Sequence, residues 1–143
     1  MAIPGRIRIL IADDFKELRV QIRQNLENAG DMELLGEATD LDEALGLARE
    51  LQPDVIIMND YLPPIDSAHA ASYFHKQGVS SSILVISKTI EYYLIVRCFQ
   101  YGVKGYMHEE ELDERLVEAV RTVAQGSLYL SPHVRSVYPG GSG

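Results

Sequence analysis

Apolar positions recur along this chain in two alternating rhythms. Ile7-Arg8-Ile9-Leu10-Ile11-Ala12 is a β-branched run that stops at Asp13-Asp14, and Phe15, Leu18, Ile22 and Leu26 then repeat at helical spacing until Gly30. That pattern predicts a strand followed by a helix. Met32 to Ala38 reads as a second, shorter strand, and Leu41, Ala44, Leu45, Ala48 and Leu51 form one apolar helical face that Pro53 ends. Val55 to Met58 and Ile83 to Ile86 are apolar at every position, as strands are when helices cover both faces of a parallel sheet. Helices are expected after them, over Ala68 to Gln77 and over Thr89 to Tyr101, the second closed by Gly102. Lys104 to Met107 reads as a fifth strand, and Leu112, Leu116, Ala119, Val120 and Val123 mark a fifth helix that Gly126 ends.

Parallel neighbours must be joined over a face of the sheet, and such crossovers are right-handed. Five strand–helix units therefore predict an α/β fold: a flavodoxin-like, doubly wound (βα)5 sandwich with a five-stranded parallel sheet in the order 2-1-3-4-5. Ligands of such sheets sit beyond the carboxyl ends of the strands, where the strand order reverses. Asp13, Asp14 and Asn59 all fall at that place.

Composition narrows the function. The chain has 143 residues with 46% hydrophobic content, enough for one domain with a sizeable core. A net charge of −8 argues against this piece binding nucleic acid by itself and favours protein partners. Cys98 is the only cysteine, which rules out a disulfide framework and a thiolate metal site and suits a reducing cytoplasm. No charged leader precedes an apolar core, and no apolar run approaches membrane-spanning length, so a soluble cytoplasmic protein is expected. His69, His75, His108 and His133 show no metal-ligand spacing and read as surface or loop residues. Pro139-Gly140-Gly141-Ser142-Gly143 reads as a linker or cloning remnant.

The order of these features resembles the CheY-like receiver domain of two-component response regulators, over residues 7 to about 125. Receivers carry an acidic pair after the first strand, here Asp13-Asp14. Their segment from a phosphoryl-accepting Asp to a Pro lands on Asn59-Asp60-Tyr61-Leu62-Pro63, and their hydroxyl position on Ser87. Tyr106 takes the place of the switch aromatic, and Glu109 stands where a receiver has Lys. Gly126-Ser127-Leu128-Tyr129-Leu130-Ser131-Pro132 is similar to the linker that leads, in the NarL/FixJ and LuxR-type group, to a helix-turn-helix domain. The resemblance implies a receiver domain over 1–126, a linker over 127–138 towards an absent DNA-binding domain, and a tail over 139–143.

The departures bear directly on chemistry. In a receiver the Asp carboxylate attacks a phosphoryl group held by Mg²⁺, while the acidic pair binds the metal and the Lys and hydroxyl stabilise the phosphoryl oxygens. An amide nitrogen is a poor nucleophile because its lone pair is delocalised, and Asn59 offers a metal one neutral oxygen in place of an anionic one. Glu109 exchanges a cation for an anion, and at roughly 5 Å with an effective dielectric of ~20 each unit pair is worth about 3 kcal/mol before screening. These residues imply an atypical receiver: a non-enzymatic, phosphorylation-independent module for dimerisation or partner binding in transcription regulation. The candidate faces are helix four with strand five and helix five, or helix one with helix five; DNA would be reached only through the absent domain.

Alternatives stay open at this level. No cofactor is required, although Asp13 and Asp14 leave a weak Mg²⁺ site conceivable, with Glu109 as an added carboxylate or turned to solvent. One of the acidic pair is expected to cap the first helix. Asp60 is an alternative acceptor, but side chains alternate along a strand, so it should face away from Asn59 and be satisfied by loop N–H groups. Lys88 either replaces the missing Lys or stays on the surface, and Ser87 either serves the site or satisfies local backbone. Tyr92, Tyr93 and Tyr101 add aromatic surface near Tyr106, and Cys98 reads as a small core residue. A small-ligand or cation-binding module is the remaining reading.

Overall fold

The computed structural model describes residues 5–137, so the tail at 139–143 lies outside the described residues. Strand β1 (Ile7–Ala12) leads to α1 (Lys16–Glu27), β2 (Met32–Ala38) to α2 (Leu41–Leu51), and β3 (Val55–Asn59) to a small hairpin. That hairpin, β4 (Tyr61–Leu62) with β5 (Ile65–Asp66), turns at the proline pair and delivers the chain to α3 (Ser67–Lys76). Then follow β6 (Ser82–Ser87), α4 (Tyr92–Gln100), β7 (Gly105–His108), a 3₁₀ turn over Glu109–Glu111, and α5 (Leu112–Ala124). The parallel sheet runs β2-β1-β3-β6-β7 in the expected order, but a sixth strand, β8 (Tyr129–Leu130), pairs parallel with β7, and α6 (Pro132–Val137) follows it.

Two separate cores explain why the central strands are apolar throughout. Alternation sends Leu10, Ala12, Ile56, Met58, Ile83 and Val85 to one face, under α2, α3 and α4. Ile9, Ile11, Val55, Ile57, Leu84 and Ile86 go to the other, under α1 and α5. Every one of these side chains is essentially inaccessible to solvent. Gly105 opens β7 because a Cβ there would come within 2.7 Å of Leu84 and 2.9 Å of Val123, so the glycine lets α5 lie close on the sheet.

The extension after α5 departs most from expectation. Residues 127–138 read as a linker, yet the described part, 127–137, adds a strand and a helix to the β7 edge, burying Tyr129, Ser131 and Val134. Val134 joins the same core cluster as Tyr106. A two-residue strand carries too little periodicity to announce itself. Helix α4 also starts later than expected, at Tyr92, because residues after Ser87 are engaged in a hydrogen-bonded turn.

Candidate functional site

The carboxyl ends of β1, β3, β6 and β7 converge on one cleft. At the end of β1, Asp13 is 1% exposed, and its Oδ1 accepts the Phe15 N–H at 2.8 Å. Its carbonyl accepts Arg19 Nη1 at 2.8 Å, but its Oδ2 is buried without a hydrogen-bond partner. Burial raises this carboxyl from its ordinary 3.8 to about 6; Asp14 adds to the rise, while the Phe15 N–H, the Asn59 amide and Arg19 oppose it. The expected helix cap takes a different form. Phe15 is the N-cap of α1 and makes no side-chain cap, while Asp13 holds the turn just ahead of the helix. Asp14 is exposed at the rim.

At the end of β3, Asn59 turns its Oδ1 back to the Asp60 N–H at 2.8 Å. Asp60 takes the other side, but its carboxylate partner is not a loop N–H: its Oδ2 accepts the Ser87 hydroxyl at 2.8 Å. Its carbonyl accepts the Ser67 N–H at 2.9 Å, tying the strand end to the start of α3. Ser87 is fully buried, and its Oγ also accepts the Thr89 N–H at 2.8 Å. The Thr89 carbonyl lies 3.1 Å from the same Oγ and accepts the Tyr106 hydroxyl at 3.0 Å. Ser87 thus serves both readings, local backbone and site. Tyr106 is 1% exposed, and burial pushes its phenol up to about 12.

Asp14, Asn59, Asp60, Lys88 and Glu109 all line a cleft of about 330 Å³ beside Phe15 and Thr89. Lys88 is the one cation among those lining residues, with its ammonium 5.8 Å from the Phe15 ring centroid. Glu109 is half-buried at the start of the 3₁₀ turn that follows β7. For Mg²⁺, the unpartnered Asp13 Oδ2 suits a cation, whereas Asn59 has spent its oxygen on Asp60. Among the described residues no group of three or more His, Cys, Asp or Glu is placed to hold a metal ion. The residues do not assemble a complete Mg²⁺ site.

Two features escaped the sequence reading. His108 is buried and stacks on His133, with ring centroids 4.4 Å apart and planes 8° apart; its Nδ1 accepts the Glu110 N–H at 3.0 Å. These histidines are 25 positions apart in sequence, and only the fold of 127–137 joins them. The second is the connection from site to extension: Ser131 donates its N–H to the Tyr106 carbonyl, and its Oγ accepts the His108 N–H, both at 3.2 Å. Tyr92, Tyr93 and Tyr101 are exposed on and beside α4, with the Arg97 guanidinium 5.7 Å from the Tyr101 ring centroid. Cys98 is buried against the Ser67 hydroxyl at 3.5 Å.

Comparison with known proteins places this geometry. The family model of the response regulator receiver domain matches residues 9–121. The response regulator GacA of Pseudomonas aeruginosa is 30% identical over 128 residues, covering 90% of this chain and 60% of its own length. The chain spans about 60% of the length of the curated relatives it matches. Among solved structures, a LuxR-family two-component response regulator from Aurantimonas sp. SI85-9A1 superposes with a TM-score of 0.89 at 24% identity, covering 96% of this chain and 98% of its own. The signal receiver domain of the response regulator NarL from Mycobacterium tuberculosis gives 0.81 at 27% identity, covering 86% and 99%.

Proposed function

This chain belongs to the response regulator receiver domain family, and we propose that it signals there without accepting a phosphoryl group. The observation that carries the reading is Asn59, which ends β3 with its oxygen committed to the Asp60 N–H and offers no carboxylate to attack phosphorus. Glu109 supports it by adding a negative charge to a cleft already lined by Asp14 and Asp60. The module works as a cytoplasmic, non-enzymatic interaction domain, through a protein partner or a second copy, and positions a separate DNA-binding domain. The exposed tyrosines around α4 favour the α4–β7–α5 side as that surface over the α1–α5 side.

The test is intact mass after incubation with Mg²⁺ and a small-molecule phosphodonor, beside an Asn59→Asp, Glu109→Lys double variant. The parent is expected to gain no phosphoryl mass and the variant to gain one group. A second reading keeps Asp60 as acceptor, because it lines the cleft together with Lys88. Phosphoryl mass on the parent, mapped to Asp60, would establish that reading and end the first.

A further inference from the structure

We infer that Asp60 is a positioning residue: its carboxylate holds the Ser87 hydroxyl, and through the Thr89 turn it keeps Tyr106 in its inward position. The inference rests on the reading of an unphosphorylated site, because a phosphoryl group in the cleft would compete for the same hydroxyl.

Ser87 has one hydroxyl proton and two acceptors within reach, Asp60 Oδ2 at 2.8 Å and the Thr89 carbonyl at 3.1 Å. A carboxylate is the stronger acceptor, so the proton goes to Asp60. The Ser87 lone pairs are then turned to the Thr89 N–H at 2.8 Å, which fixes the turn. The Thr89 carbonyl, positioned by that turn, accepts the Tyr106 hydroxyl at 3.0 Å.

Tyr106 is held by core packing around its ring and by a hydrogen bond at its hydroxyl. The Tyr106 ring borders a second cavity of about 260 Å³, which Asp60, Leu94, Cys98 and Thr89 also line. The hydrogen-bond chain from Asp60 adds a directional restraint on the phenol end. It also reaches further, because the Tyr106 carbonyl accepts the Ser131 N–H and so meets the extension that carries β8 and α6.

In this arrangement the carboxylate next to the acceptor position supplies, permanently and from within the chain, an anionic acceptor for the Ser87 hydroxyl. Nothing need be added to or removed from the cleft to hold Tyr106 inward.

The experiment labels the eight tyrosines with 3-fluorotyrosine and reads the ¹⁹F spectrum, with Tyr106→Phe identifying the Tyr106 resonance. The parent should show one narrow Tyr106 line. Asp60→Ala should broaden or split it, and Ser87→Ala should do the same while removing only one oxygen. The double variant should add nothing to either single change, because both cut one relay. An unchanged Tyr106 line in folded Asp60→Ala or in Ser87→Ala would overturn the inference, as would additive effects. Intact mass on the same samples, with phosphodonor, keeps the two claims apart: phosphorylation of the parent would sink the proposed function, whereas a Tyr106 line that the variants leave unchanged would sink only the relay.

Discussion

The two walls of the cleft treat their carboxylates in opposite ways. On the β1 wall Asp13 is buried with one oxygen unpartnered, and Asp14 stands next to it. On the β3–β6 wall Asp60 is paired with a hydroxyl whose own lone pairs and neighbours are satisfied through to Tyr106. A buried polar group costs free energy unless paired, and a fully paired network rigidifies its surroundings. One wall therefore keeps a buried carboxylate under strain, and the other has turned the same kind of residue into structure.

Three substitutions measure that contrast. The largest effect is expected on the satisfied wall, where Tyr106→Ala removes a fully buried ring from the core shared with Val134 and should cost about 3–5 kcal/mol in urea unfolding. A loss below about 1 kcal/mol would mean that the ring contributes little to the core.

The next effect has the opposite sign. Asp13 has a folded value of about 6 against 3.8 ordinarily, so the folded state holds the proton more tightly than the unfolded state. Its burial is tolerated best below about pH 4, and the cost grows as pH rises through 6. Asp13→Asn should accordingly stabilise the domain by about 3 kcal/mol at pH 7 and remove that part of the slope between pH 4 and 6. Equal stability of parent and variant at pH 7 would show that the carboxylate is not under strain. The smallest effect is expected from Tyr106→Phe, which deletes the hydroxyl that the Thr89 carbonyl accepts and should cost about 1 kcal/mol.

The sheet order was legible because the central strands are apolar on both faces and the first, second and fifth helices each show an apolar stripe. Asn59 and Glu109 were legible because the motif around them is tightly ordered along the chain. Asp60 was half legible. Alternation separated it from Asn59, but not which hydroxyl lay on its side, since Ser87 is 27 positions away and meets it only through the β3–β6 pairing. The His108–His133 stack was hidden for the same reason, with the added difficulty that β8 spans two residues and the segment was expected to be a linker.

Strand β8 covers the outer edge of β7. Without it, the N–H and C=O groups of Gly105–His108 that face outward would form an open sheet edge, a template onto which another chain can add a strand. Tyr129 secures the cover by hydrogen-bonding Glu118 on α5 at 2.8 Å. A polypeptide cut at Gly126 would keep the receiver's site residues yet leave the outer edge of β7 open to pairing with another chain.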